Sequence, residues 1–323
     1  MTTAPAPTAF IDALRPWMAQ CEEVLAAVAG GHVGAVSGPA GDTLAAGGKR
    51  VRPMLLFCAS SRHEDDRAAL VSAAAAVELV HMATLVHDDL IDGATTRRGR
   101  PTVARAHGAD SAVQVGDFLF ARAFAELTHV GSPLAVSALA DAALDLALGE
   151  MDQQRATSDL ALSVDAYIAR CRRKTGALFS VACRLGAVLS GAGDEAQARL
   201  AAFGEHVGVA FQIFDDILDI AGSPAETGKR RGTDILSGTV TLPIILAIAD
   251  EPGLASEIER ASRGDVPLLP LCDRLAVHPG AVAARERAIE EVAAAVASLD
   301  GDVGDADVAA LRTIAAGVVD RFA

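Results

Sequence analysis

Residues 77–92, VELVHMATLVHDDLID, are apolar at nearly every position, yet they carry three carboxylates, Asp88, Asp89 and Asp92. A helix that is apolar on almost every side is buried, and desolvating even one unpaired carboxylate costs several kcal/mol. At about 100° per residue, His81, Leu85, Asp88 and Asp92 fall on one stripe, with Thr84 and Asp89 at its borders. The stripe is expected to face an internal cavity. The stretch GVAFQIFDDILDIAG repeats the arrangement: Gly208, Gln212, Asp215 and Asp219 share the same spacing, and apolar residues cover the other faces. One acidic triplet could be the solvated end of a helix. Two with DDxxD spacing point to a ligand.

The rest of the chain supports a helical setting for these stripes. Of 323 residues, 51% are hydrophobic, with only ten Phe, one Trp and one Tyr. Apolar positions recur at helical spacing over 68–92, 112–128, 133–154, 164–190 and 196–221, and alternating strand patterns are missing. Gly and Pro punctuation separates these stretches without a long linker, so the reading is all-α, one domain over residues 9–323 of roughly ten to thirteen helices, after a loose tail at 1–8. The opening MTTAPAPTAF has neither the basic nor the apolar region of a signal peptide, and no run reaches the ~20 uninterrupted apolar residues of a membrane span. Five cysteines without CxxC spacing argue against a disulfide framework or structural zinc and suit the cytoplasm. A net charge of −14 argues against a nucleic-acid partner, so any anionic ligand needs local cations or metal ions.

Six aspartates without interleaved His or Cys favour Mg²⁺, a hard ion that keeps waters and completes its shell with phosphate oxygens. The chain holds three lysines, Lys49, Lys174 and Lys229, and uses arginine almost everywhere else. A compact ammonium kept at only three places suggests phosphate contacts. In TTRRGRPT, after the first triplet, Arg97 and Arg98 offer planar forks to a diphosphate. Arg50 and Arg100 read as solvated neighbours, as does most of the run RCRRK, while Phe211 and Phe214 read as core.

The ordered set GGKRVRPML, ELVHMATLVHDDLIDGATTRRGRPT, GDFLFARAF, KTGALF, FQIFDDILDIAG and GKRRGTDILSGTVTLP, over roughly residues 45–245, resembles the trans-isoprenyl diphosphate synthases, or polyprenyl synthetases. The resemblance implies a single-domain helical bundle around a deep central cavity, usually a homodimer. It implies that Asp88, Asp89 and Asp92 face Asp215, Asp216 and Asp219 and hold Mg²⁺ on an allylic diphosphate, with Arg97, Lys174 and Lys229 stabilising the departing diphosphate. Lys49, Arg52, His81 and Arg98 match positions for the diphosphate of isopentenyl diphosphate. Thr175 and Gln212 match positions near the allylic carbocation, whose condensation ends with a proton lost to the released diphosphate. The glycine-rich 222–243 segment, with Lys229 and Asp234, is a candidate cover.

Two details bear on the product. Thr239 stands where many short-chain members carry lysine, so one cation contact to the allylic diphosphate is missing or replaced. Ala83 and Thr84, one turn deeper than Asp88, leave room for a growing tail. The expected product is therefore a long all-trans chain, hexaprenyl to decaprenyl, with geranylgeranyl or farnesyl as the alternative. Two rivals remain: a class I terpene cyclase, disfavoured by DDILD and by Lys49, Arg52 and His81, and a non-catalytic subunit of a heteromeric synthase, disfavoured by two intact acidic motifs.

Overall fold

The structure is a computed structural model that describes residues 9–30, 37–45, 47–222 and 231–320. Lys229 and the tail at 1–8 lie outside the described residues. Sixteen α-helices occur among them: α1 (Ala9–Gly30), α2 (Ser37–Ala45), α3 (Val51–Cys58), α4 (Arg67–Ile91), α5 (Val103–His107), α6 (Ala109–Thr128), α7 (Pro133–Arg155), α8 (Val164–Cys171), α9 (Ala177–Leu189), α10 (Asp194–Ala221), α11 (Thr233–Ser237), α12 (Leu242–Asp250), α13 (Leu254–Ser262), α14 (Leu268–Ala276), α15 (Pro279–Ser298) and α16 (Val308–Asp320). The excess over the expected number comes from short pieces such as α5 and α11, five residues each, which lack the length for a periodic signal.

Among the described residues the only strands form a hairpin, β1 (Thr96–Arg97) against β2 (Arg100–Pro101), with Arg97 opposite Arg100. Its turn residues Arg98 and Gly99 both have positive φ, 52° and 75°. Such a two-residue turn usually uses Asn-Gly, so Arg-Gly hides it from pattern reading.

The described residues form two compact units. The first comprises the chain up to Ala143, Leu178–Gly204 and Ser298–Ile314. Its centre is α4, which packs on α1, α3 and α6. Ala73, Ala74, Ala75, Ala76 and Ala83 are fully buried, small side chains that admit close neighbours. Leu55, Leu56, Phe57, Leu70 and Leu119 fill the surrounding core, each contributing roughly 1.5–3 kcal/mol by leaving water. His87 turns away from the acidic face: its ring lies against Gly116 of α6 and is stacked 6.1 Å from Phe120.

The second unit comprises Leu144–Ala177, Glu205–Ala297 and the chain from Ala315. Here α12 packs on α8, α13 and α14, and Pro243 sits in the first turn of α12, where a missing N–H costs nothing. Between α8 and α9, Arg172–Gly176 form a π-helical turn. Phe214 is fully buried, as expected, and Phe211 is half-buried. All five cysteines are free and buried. The stretch Glu64–Ile91 is long and apolar enough to cross a membrane by length and composition, but 72% of its most apolar window is buried within the protein, as befits a core helix.

Candidate active site

Both acidic motifs lie at the C-terminal ends of their helices, Asp88 and Asp89 in the last turn of α4 with Asp92 as its C-cap, and Asp215, Asp216 and Asp219 in the last two turns of α10. Helix C-termini already carry partial negative charge. Carboxylates there add to it, which is unfavourable unless cations answer.

In the first unit, Asp88 is half-buried, Asp92 exposed and Asp89 buried. The stripe therefore runs from interior to surface instead of lying wholly in a cavity, and the most deeply buried carboxylate is one placed at its border. The cause is the hairpin: Arg97 donates Nε to both oxygens of Asp89 at 2.9 Å and brings Nη2 to 2.7 Å. Arg97 is thus engaged with a carboxylate.

The same unit gathers cations around His81. Arg52, Arg98, Arg97 and Arg50 all bear on the imidazole, and burial followed by these charges holds its pKa well below the ordinary 6.5. His81 is therefore neutral at neutral pH. His81, Arg97 and Arg98 line a pocket of about 610 Å³, partly open to solvent, together with Arg50, Glu78 and Asp89. Arg52 lies with its guanidinium 4.6 Å from the centre of the Phe179 ring, and burial lowers its pKa to about 10. Lys49 is exposed. Arg50 corrects the sequence reading: it is 8% exposed and ion-paired to Glu22 at 2.6 Å and Glu78 at 2.9 Å, whereas Arg100 is exposed as expected. Neither Ala83 nor Thr84 is bulky; Ala83 is fully buried, and Thr84 donates its hydroxyl to the carbonyl of His81 at 2.8 Å.

A lowered imidazole pKa has a consequence for stability. Below pH 6.5 the unfolded chain takes up a proton at His81 before the folded one does, so stability falls with pH from that point toward the folded value. Wild type is expected to lose more melting temperature between about pH 7 and 5.5 than His81→Gln does. Parallel melting curves across that range check it.

In the second unit the middle aspartate is again the buried one. Asp216 accepts Tyr167 Oη at 2.7 Å and Gln212 Nε2 at 2.7 Å, while Gln212 Oε1 accepts the hydroxyl of Thr175 at 2.7 Å. Burial pushes Asp216 up to about 6, against the pull of those hydrogen bonds and of nearby Arg170. Asp219 accepts the backbone N–H groups of Thr233 and Asp234, both at 3.1 Å. Lys174 stands 2.6 Å from Glu150. The run RCRRK is solvated only in part: Arg172 and Arg173 are exposed and paired to Glu205 and Asp152, but Arg170 is buried, donating to the carbonyl of Val240 at 2.6 Å. Thr239 shares a 2.9 Å hydrogen bond with Ser237 in place of a lysine's charge.

Tyr167, Glu150 and Arg231 carry no role in the sequence reading, and the burial of Arg170 departs from it. Tyr167 had a signal, since it is the only tyrosine in the chain. Arg231, which donates to the last-turn carbonyl of Ile220 at 2.6 and 3.0 Å, had none.

The donor set fits a hard cation. The motif side chains offer carboxylate oxygens alone, and burial raises Asp216 toward its neutral form, which a cation beside it would oppose. Among the described residues no three His, Cys, Asp or Glu side chains gather as a ready-made metal cage.

The polyprenyl synthetase family profile matches residues 35–265. The chain belongs to the polyprenyl synthetase family. Among its relatives, heptaprenyl diphosphate synthase component 2 of Geobacillus stearothermophilus is 41% identical over 218 residues, 66% of this chain and 68% of that one. Geranylgeranyl diphosphate synthase of Mycobacterium tuberculosis is 34% identical over 301 residues, 90% and 86% of the two chains. The crystal structure of a polyprenyl synthase from Caulobacter crescentus, complexed with calcium and isoprenyl diphosphate, superposes with a TM-score of 0.91 at 32% identity, covering both chains completely. The fold is the all-α isoprenoid synthase fold, and the protein is a prenyltransferase of the trans-polyprenyl diphosphate synthase type, resembling the long-chain members.

Proposed function

We propose that this polyprenyl synthetase condenses isopentenyl diphosphate with an allylic diphosphate primer, repeatedly, to a long-chain all-trans polyprenyl diphosphate of hexaprenyl to decaprenyl length. The observation that carries the reading is the pocket lined by His81, Arg97 and Arg98, with Arg52 also acting on the imidazole, a cationic wall in a chain of net charge −14. Asp88, Asp92, Asp215 and Asp219 would hold Mg²⁺, with Asp89 and Asp216 fixed beside them by Arg97, Tyr167 and Gln212. When bound, Mg²⁺ neutralises charge on the leaving diphosphate as a Lewis acid.

The remaining work falls to side chains. Lys49, Arg52, His81 and Arg98 bind the diphosphate of isopentenyl diphosphate and set its double bond beside the primer, a gain by proximity. Neutral His81 donates one hydrogen bond without adding charge. Arg97, Lys174 and Lys229 answer the negative charge that grows on the departing diphosphate; for this, Lys174 exchanges Glu150 for phosphate. Thr175 and Gln212 line the primer's reacting end, and the apolar faces of the helices keep water from the carbocation.

Incubation with Mg²⁺, radiolabelled isopentenyl diphosphate and a series of allylic primers, followed by product sizing, tests the proposal. Linear products of six to ten isoprene units, as proposed, support it. A product stopping at farnesyl or geranylgeranyl length moves the enzyme to the short-chain reading, a cyclic hydrocarbon to the cyclase reading, and silence until a second protein is added to the subunit reading.

Ala83 sets a further expected result. A phenylalanine there shortens the product ladder if the tail passes this turn of α4. Because Ala83 is fully buried, the change also costs about 1–3 kcal/mol of stability by overpacking. An unchanged ladder from a folded variant refutes the gate.

A cytoplasmic homodimer is part of the same proposal. Leu144, Leu148 and Met151 recur on one face of α7 and are exposed, an apolar strip of the kind an oligomer covers.

A further inference from the structure

We propose that Glu78 is the positioning residue of the diphosphate site made by Arg52, His81 and Arg98, an inference that rests on the isopentenyl diphosphate reading of that cluster. Glu78 lies on α4 one turn before His81, so both side chains share a face of the helix. It is 3% exposed, yet it stands in the wall of the pocket that His81, Arg97 and Arg98 line.

Its surroundings are cationic. Glu78 Oε1 accepts Arg50 Nη1 at 2.9 Å. Arg50 is tied on its other side to Glu22 by Nε at 2.6 Å and Nη2 at 3.3 Å, and its backbone is left-handed, with φ 48°. The guanidiniums of Arg50 and Arg98 both come against Gly48: a Cβ there would stand 3.3 and 3.1 Å from their Nη1 atoms. Arg52 is backed by the Phe179 ring. Glu78 Oε2 is a buried acceptor with no hydrogen-bond partner, and Arg52 Nε is a buried donor in the same position. The charge of Glu78 also acts on Arg50, Arg52 and Arg98, in each case favouring the charged form against the cost of burial.

One carboxylate therefore pairs with Arg50 and also acts on Arg52 and Arg98, and all three guanidiniums act on His81. Removing it leaves Arg50 held by Glu22 alone and Arg52 without the carboxylate that acts on it, and a buried positive charge so left moves toward water. The geometry that matches a diphosphate would be lost with it. This gives Glu78 a signature that mere charge cannot imitate. A nearby negative charge with no positioning role weakens anion binding, so its neutralisation would tighten binding. A positioning residue does the reverse.

The test uses the full-length protein as wild type, Glu78→Gln, Glu78→Asp and the double variant Arg50→Met with Glu78→Met. The double change removes the Arg50–Glu78 pair and leaves Glu22, 45% exposed, to water, so no buried charge is stranded at this pair if the single variant fails to fold. Two quantities are read: the calorimetric Kd for isopentenyl diphosphate without primer or Mg²⁺, and the steady-state KM for each substrate with kcat. Glu78→Gln and the double variant are expected to raise Kd and KM for isopentenyl diphosphate about tenfold or more, as loss of a group that orients a ligand does. The primer's KM should stay fixed, kcat should change less than twofold, and Glu78→Asp should recover part of the loss. Unchanged or tighter binding in the folded variants overturns the role of Glu78. A wild type that does not bind isopentenyl diphosphate overturns instead the assignment of the cluster on which this role rests.

Discussion

Asp88→Ala and Asp215→Ala are each expected to lower kcat by about 10³-fold, the loss seen when a group that stabilises developing charge is removed. Asp89→Asn and Asp216→Asn cost about ten- to a hundredfold, the range typical of residues that support a metal site from behind. The distinction follows from geometry. Asp89 is engaged by Arg97 and Asp216 by Tyr167 and Gln212, so their oxygens already serve protein donors. Asp88 and Asp215 are half-buried at the ends of α4 and α10, where helix carbonyls add to the negative field. Single-turnover kinetics at saturating Mg²⁺ check the order. Equal losses at all four positions would show that each motif acts as one undivided ligand set.

The second large effect is steric. A Cβ on Gly149 of α7 would stand 2.7 Å from the backbone nitrogen of Lys174 and 3.0 Å from its Cα. Backbone cannot yield as a flexible side chain does, so Gly149→Ala pushes α7 away from the π-helical turn at Arg172–Gly176. That turn carries Lys174 and Thr175, and Lys174 reaches Glu150 from it. The expected cost is about 1–3 kcal/mol of stability, together with about a hundredfold in kcat, since displacements near 1 Å forfeit that much positioning. Melting temperature and kcat measured on the same preparation decide between this and a purely structural role, in which kcat per folded molecule would be unchanged.

Much of this site was legible in the sequence, and the reason differs from residue to residue. The two stripes on α4 and α10 could be read because an otherwise apolar helix keeps carboxylates at fixed intervals only where a ligand or a counter-charge offsets their desolvation. His81 and Arg52, Arg97 and Arg98 could be matched because they lie in short, ordered motifs. Which carboxylate of each triplet is buried could not be read. Helical projection puts Asp89 at the border of its stripe and leaves Asp216 out of the other, and burial is decided by Arg97 on an unforeseen hairpin and by Tyr167, which is distant in sequence. Arg50 looked solvated because its neighbours are charged. Its left-handed backbone instead turns it toward Glu22 and Glu78, partners from two other helices. The π-helical turn at Lys174 leaves no pattern either, since one inserted residue shifts the helical phase without changing composition.

The central claim is that the acidic residues of both motifs hold divalent ions on an allylic diphosphate. A crystal structure with Mn²⁺ and an unreactive thio-analogue of the primer tests it most directly, because anomalous scattering locates each ion. Mn²⁺ is expected to be ligated by Asp88 and Asp92 and by Asp215 or Asp219, with the analogue's diphosphate completing the shell. Mn²⁺ and diphosphate bound away from these carboxylates, or at one motif with the other left untouched, would contradict it.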